Sequence, residues 1–150
     1  MEETEIYMLI REASLNDIHA VIEIDTDITG EAKPQYWQDA FNEYQSHKES
    51  RFILVAEQGQ QVLGFINGEI RAWEFGSAPC GWVIAIGIRQ DERLGGIGSK
   101  LLDSLCGYFH RAGVTKARTM ITRQNHEVLA FFRSQGMMAG PYLQLEKELE

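Results

Sequence analysis

Cysteine is scarce in this chain: Cys80 and Cys106 are the only two among 150 residues. Cys80 has no other Cys or His near it and Cys106 has only His110, well short of a four-ligand set, which argues against a disulfide framework and a structural zinc site. Cys106 falls on the apolar side of a helix-period stretch and reads as a small core residue. Cys80 sits in a Gly/Pro-containing loop, with no basic neighbour in sequence to activate it. Positive charge is also short. Lys and Arg number 14 against 22 Asp and Glu, a formal net charge of −8, and that balance supplies no basic stripe for a nucleic acid. It suits a cationic partner such as an amine. No apolar run approaches the length of a membrane span. The acidic opening Glu2-Glu3-Thr4-Glu5 does not read as a secretory leader. Linkers, repeats and low-complexity stretches are missing as well. These absences lead us to expect one domain over residues 1–150, in the reducing cytoplasm, with no metal, membrane or nucleic-acid partner.

What the sequence does have is a glycine-rich turn in a telling place. The apolar run Trp82-Val83-Ile84-Ala85-Ile86-Gly87-Ile88 precedes it, and an amphipathic run over residues 97–109 follows it. Between them stands Arg93-Leu94-Gly95-Gly96-Ile97-Gly98-Ser99. Strand, glycine turn, helix is an arrangement that aims unpaired helix N–H groups and the positive end of the helix dipole at an anion. It is not a Walker A loop, because Gly98 is followed by Ser99 and Lys100 rather than by Lys and Ser/Thr. Nor is it a dinucleotide fingerprint, since Leu101 stands at the third glycine. The spacing that fits is Arg-x-x-Gly-x-Gly, at Arg93, Gly96 and Gly98.

The remaining elements frame that turn. Residues 6–11 read as an opening strand. Ser14, with Asp17 three residues on, caps a helix carrying Ile18, Val21 and Ile22 toward the core. Pro34 starts a second helix with the apolar face Tyr36, Trp37, Ala40, Phe41 and Tyr44. Residues 51–57 and 62–71 make two strands around the turn Gln58-Gly59-Gln60. Gly64 and Gly68 in the second strand signal close approach of a neighbour. The near-continuous apolar strand 82–88 is covered on both faces. After the 97–109 helix come a strand at 116–122, a helix capped by Asn125 and closed by Gly136, and a last strand at 137–145 broken by Gly140-Pro141. This order predicts an α+β fold with a mixed sheet rather than a doubly wound parallel one.

The turn resembles the acetyl-CoA pyrophosphate loop of the GNAT N-acetyltransferase superfamily, Gln/Arg-x-x-Gly-x-Gly/Ala. Leu63-Gly64-Phe65-Ile66 and Ile86-Gly87-Ile88 resemble that family's third and fourth strands. Asn125 through Phe131-Phe132-Arg133-Ser134-Gln135-Gly136-Met137 resembles its Asn-x-x-Ala-x-x-Leu-Tyr-x-x-x-Gly-Phe segment. The resemblance implies a central mixed, mostly antiparallel sheet with helices on both faces and a splay between strands four and five. It implies acetyl-CoA as acyl donor, its pantetheine arm along Ile86, Gly87 and Ile88. Its diphosphate would lie on Arg93, Leu94, Gly95, Gly96, Ile97, Gly98 and Ser99, with Asn125 and Phe132 beside the coenzyme. A backbone N–H near Ile86–Ile88 would face the thioester oxygen.

The acceptor so implied is a primary amine of a small molecule, peptide or protein. A free alkyl amine is only about 0.04% neutral at pH 7, so the site must help remove its proton. Phe132 occupies the place of a proton-donating Tyr in many relatives and cannot donate; Tyr142 is the candidate to replace it. Glu69 is the candidate base or amine-binding acid, with Asp25 and Glu74 as rivals. Asp25, Tyr36 and Trp37 are candidate acceptor contacts. A catalytically weak CoA-binding regulatory module is the competing reading, and a self-associating domain using Tyr36, Trp37 and Phe41 is a third. Relatives often form homodimers, and a homodimer is compatible with this chain.

Overall fold

The alternating and apolar runs pair into one five-stranded sheet whose strands lie in chain order: β1 Met8–Glu12, β2 Arg51–Gln58, β3 Gln61–Arg71, β4 Cys80–Ile88 and β5 Ala117–Arg118. The first four pair antiparallel, and β5 runs parallel to β4. The computed structural model describes residues 7–150, apart from the side chains of Arg93 and Leu94. Ile6, expected to open the first strand, lies outside the described residues. The β2–β3 hairpin turns through Gly59 (φ 56°) and Gln60 (φ 66°). Two successive left-handed residues are the mark of a type I′ turn, whose twist matches that of the strands it joins.

Two irregularities matter for the site. Opposite Ala56/Glu57 the register steps from Gly64 to Val62, leaving Leu63 as an extra residue in β3. Opposite Asn67/Gly68 it steps from Ala85 to Val83, leaving Ile84 as an extra residue in β4. Each is a bulge that bends its strand and reverses which way the following backbone groups point.

The helices are α1 Ile18–Thr29, α2 Pro34–Ser46, α3 Ile97–Arg111 and α4 His126–Ser134. The chain forms two compact units, Met1–Met120 and Ile121–Glu150. In the first, α1 and α2 cover one sheet face. Val21, Ile24, Trp37, Phe41 and Tyr44 are buried with Ile53, Val55 and Phe65. Ile24, rather than the expected Ile22, is among the fully buried residues of α1. The other face packs on α3. A Cβ at Gly68 would stand 2.8 Å from Leu105 Cδ2 and 2.9 Å from Phe109 Cζ, and one at Gly81 would enter the Phe109 ring. Glycine in these strands therefore lets α3 sit close to the sheet.

The second unit holds α4, capped by Asn125, whose Oδ1 accepts the Val128 N–H at 3.2 Å. The strand expected at 137–145 does not form among the described residues, and the one expected at 116–122 shortens to Ala117–Arg118. Gly140-Pro141 breaks the former, since a proline has no N–H to give to a ladder. Among the described residues no helix is long and apolar enough to cross a membrane.

At the entry to α1, Asp17 is held on three sides. Its carboxylate takes Arg11 Nη1 at 2.8 Å and Nη2 at 2.9 Å, and the Ser14 backbone N–H at 2.7 Å. Burial by itself pushes the carboxyl up; Arg11 and the Ser14 N–H outweigh it, and the net displacement is downward. A carboxyl depressed in the folded state contributes stability that is present above its unfolded pKa and lost as pH falls through the folded one. Stability should therefore fall as pH drops below about 4. Asp17→Asn should lose on the order of 2 kcal/mol at pH 7 and show a shallower acid limb in denaturant titrations. An unchanged acid limb in the variant would assign the acid sensitivity to other carboxylates.

Candidate active site

The glycine turn folds as the sequence suggests. Residues Gln90–Gly95 form a 3-10 turn, and Gly96 follows with φ 72° and ψ 15°, immediately before α3. A Cβ at Gly96 would meet nothing within 4 Å. The glycine is there for its left-handed backbone, not for space. The first α-helical bond runs from the Lys100 N–H to the Gly96 carbonyl at 3.2 Å. The amides of Ile97 and Gly98 precede that ladder and stand at the positive end of a 15-residue helix. The side chains of Arg93 and Leu94, expected at this loop, lie outside the described residues.

β4 supplies a second backbone surface. Its pairing with β5 covers only Gly81↔Ala117 and Trp82↔Arg118. One residue further, Thr119 Oγ1 donates to the Val83 carbonyl at 2.9 Å. Beyond that point no strand pairs with β4 on this side among the described residues. The Gly81 N–H points to the β5 side, donating to Lys116 O at 2.9 Å, while the Arg89 N–H points to β3, donating to Leu63 O at 2.9 Å. Backbone direction alternates along a strand. Counting back from Arg89 turns the N–H and C=O of Ile88 and Ile86 to the open side, and Gly87 to β3. Without the extra residue Ile84, counting forward from Gly81 would have turned Gly87 outward instead. The bulge thus sets which amides line the open edge.

The bulge also opens a cleft. About 270 Å³ of space lies between α2 and strands β2–β4, with Ile84 in its wall. Tyr36, Asp39, Glu43, Asn67, Glu69, Arg51 and Arg71 supply its polar lining. Glu69 has both oxygens engaged: Oε2 with Arg51 Nη1 at 2.9 Å and Oε1 with Arg71 Nε at 2.6 Å. Arg71 in turn lies over the Trp82 ring, 5.6 Å from its centroid, and 3.9 Å from Glu74. Asp39 is bonded to neutral Gln35 at 2.9 Å. The Tyr36 phenol, half-exposed in this cleft, is pushed up by burial first and then by Asp25 and Glu69, with Lys33 opposing. It is a neutral O–H donor at physiological pH.

Asp25 and Trp37 stand behind Tyr36. Trp37 is 1% exposed, edge-on to Tyr36 and to Phe65, and its Nε1 donates to Asp25 Oδ2 at 3.0 Å. Lys33 Nζ lies 3.1 Å from the same oxygen. Glu74 is on the exposed turn Glu74–Gly76. Asn125, Phe132 and Tyr142 belong to the second unit, where Phe132 is buried edge-on to Phe131 and Tyr142 is half-exposed. Within the first unit the structure brings Glu69 and Tyr36 to one cleft, and Ile86, Gly87 and Ile88 to one strand. Sequence reading missed Arg51, Arg71 and Asp39. Arg51 and Glu69 are register partners across the hairpin, a pairing that the unseen bulge at Leu63 creates. Cys80, expected in a loop, instead opens β4 and is buried, with Arg118 Nη1 of the adjacent strand β5 3.6 Å from its sulfur.

The sequence matches the acetyltransferase (GNAT) family over residues 18–137. No curated protein matches it. Among solved structures, the aminoglycoside N-acetyltransferase AAC(6′)-Iy in complex with CoA is similar, with a TM-score of 0.85 at 11% identity, over 99% of each chain. A transcriptional regulator from Bacillus halodurans C-125 gives 0.80 at 20% identity, over 95% of this chain and 100% of its own. AAC(6′)-IG from Acinetobacter haemolyticus, an aminoglycoside 6′-N-acetyltransferase, gives 0.78 at 16% identity, over 95% and 99%. Identities this low speak for the fold; the family match covers well over half of the chain and speaks for its kinship. The chain belongs to the GNAT acetyltransferase family and is an N-acetyltransferase of that family.

Proposed function

We propose that the chain moves the acetyl group of acetyl-CoA to a primary amine bound in the cleft under α2. One observation carries this reading: the open edge of β4 runs from the cleft wall at Ile84 toward the glycine turn at the start of α3. Both surfaces fit the donor. The turn offers amides to a diphosphate with no Cβ in the way, and the Ile86 and Ile88 edge offers strand-like pairing to an amide-bearing arm. When bound, acetyl-CoA supplies the thioester carbonyl that the amine attacks. An edge amide of β4 stabilises the charge developing on that carbonyl oxygen. Asn125 and Phe132 are assigned to the coenzyme, with Asn125 keeping its capping bond.

The cleft orients the amine. Asp39 and Glu69 attract an ammonium, and the Tyr36 hydroxyl gives the acceptor a donor to lean on; Asp25 and Trp37 hold Tyr36 from behind. Glu69 receives the amine proton only by loosening a guanidinium pair, so its larger role is to fix the acceptor. A thiol of pKa about 8.5 departs readily as thiolate, and Tyr142 is assigned as the hydroxyl that returns its proton, a task Phe132 cannot perform. The acceptor is a small-molecule, peptide or protein amine, with aminoglycosides among those to screen because structural neighbours acetylate them.

Thiol release from acetyl-CoA over a panel of aminoglycosides, polyamines and peptides is the test. Turnover on an amine supports the proposal. Tight CoA binding with no turnover on any of them supports the competing reading that Phe132 motivates, a CoA-binding regulatory module. With a productive acceptor in hand, Glu69→Gln should lower kcat/KM for the acceptor about tenfold, the loss of one charged contact, and leave the KM for acetyl-CoA unchanged. Unchanged acceptor kinetics would remove Glu69 from the site.

A further inference from the structure

Arg89 is the first residue past β4, at the root of the glycine turn, and its side chain is 17% exposed. Its backbone N–H donates to the Leu63 carbonyl at 2.9 Å, and its own carbonyl accepts the Glu92 N–H at 2.9 Å. The guanidinium reaches two further groups. Nε donates to the Val62 carbonyl at 2.8 Å, and Nη1 donates to Glu23 Oε1 on α1 at 2.8 Å. Strand β3, helix α1 and the turn therefore meet at one side chain.

Successive carbonyls of a regular strand point to opposite sides. Val62 and Leu63 nevertheless both accept from Arg89, and Leu63 is the extra residue of the β3 bulge. The last ladder pair between β3 and β4 is Gly64↔Ile88. Beyond it the guanidinium takes the place of a strand amide at Val62. The turn that follows, Gln90–Gly95, is a 3-10 run of six residues, longer than such runs usually hold by themselves. Where it leaves the sheet therefore depends on how Arg89 is anchored. The two side-chain bonds differ in weight. Glu23 is 62% exposed, and a pair so open to water contributes little. The bond to Val62 is charge-assisted and partly buried, which is the stronger kind.

We propose that Arg89 is a positioning residue for the coenzyme. Through Val62 it fixes where the turn leaves the sheet, and so where the amides of Ile97 and Gly98 stand relative to the β4 edge. This role rests on the donor reading above, in which those amides take the diphosphate and the edge takes the arm. Arg89 itself makes no contact with the phosphates. Two substitutions separate such a role from that of a counterion. Lysine keeps the charge but carries a methylene where Arg89 has Nε. Glutamine loses the charge but carries its amide N–H donor at the place of Nε. The backbone bond to Leu63 survives both, so the β4 edge keeps its direction.

Calorimetry with CoA and with pantetheine, on wild type and on Arg89→Ala, Arg89→Lys and Arg89→Gln, tests this. Each chain is taken below its own thermal midpoint, so that folded chains are compared. The alanine and lysine variants should each bind CoA about tenfold more weakly, the effect of one charged hydrogen bond, and bind pantetheine as wild type does. The glutamine variant should recover CoA affinity to within about threefold of wild type. If the alanine variant does not fold, the contrast between lysine and glutamine decides alone. Three results would each overturn the role of Arg89. Rescue by lysine and not by glutamine would make it a counterion. Equal CoA affinity in all the chains would remove it from coenzyme binding. An equal loss for pantetheine would mean that the substitutions disturb the β4 edge. A wild-type chain that binds no CoA would bring down the donor reading itself, and this role with it.

Discussion

Trp37→Ala should lower the unfolding free energy by about 3–5 kcal/mol, the range for deleting a large aromatic from a packed core. The indole is 1% exposed and edge-on to Phe65, with centroids 5.2 Å apart. Its removal leaves a cavity between α2 and the sheet that neighbouring side chains fill only in part. It also deprives Asp25, itself 9% exposed, of the Nε1 donor that the carboxylate shares with Lys33. Against a total stability of about 5–15 kcal/mol that loss is large, and for a chain of this size it corresponds to a fall in Tm of roughly 6–20 °C. Trp37→Phe separates the two contributions. It keeps most of the ring volume and drops the donor with one edge of the indole, so its loss should be about 1–3 kcal/mol. Denaturant titration of both variants measures the pair. A Trp37→Ala chain within 1 kcal/mol of wild type would show that the indole is not a core residue and would return it to the acceptor's contacts.

The sequence announces the parts of this protein that follow local rules. The glycine turn, the Pro34 start of α2, the Asn125 cap and the hairpin at Gly59-Gln60 each follow from one or two residues whose backbone preferences are strong. The contents of the acceptor cleft follow from none. Counting outward from the Gln58↔Gln61 pair sets Arg51 opposite Gly68; the extra residue at Leu63 shifts it to Glu69 and so builds the Arg51–Glu69–Arg71 cluster. In the same way, the bulge at Ile84 turns the Ile86 and Ile88 amides to the open edge. Leu63 and Ile84 are ordinary strand residues, and nothing in their chemistry marks them as extra. Bulges are settled by how the whole sheet twists and by what packs on its faces. Pairing of distant segments is equally hidden. Arg118 beside Cys80 and Lys33 beside Asp25 depend on folding.

Gly96→Val should weaken binding of CoA on the order of 10- to 100-fold while leaving the chain folded. Gly96 sits at φ 72° in the left-handed region, where a residue with a Cβ costs about 1–2 kcal/mol and a β-branched one more. Space is not the obstacle, since a Cβ there meets no atom within 4 Å. The variant therefore relieves its strain by rotating the turn, which moves the amides of Ile97 and Gly98 away from one another. A charged hydrogen bond is worth about 1.5–3 kcal/mol, so losing one such contact to the diphosphate gives the stated range. Gly96→Ala should fall between wild type and Val. Pantetheine lacks the diphosphate, and its affinity should be the same for wild type and Gly96→Val if the turn holds the phosphates and the β4 edge holds the arm. Calorimetry with both ligands reads this directly. Equal CoA affinity in wild type and variant would detach the glycine turn from coenzyme binding, and an equal loss for CoA and pantetheine would mean that the substitution disturbs the β4 edge rather than the start of α3.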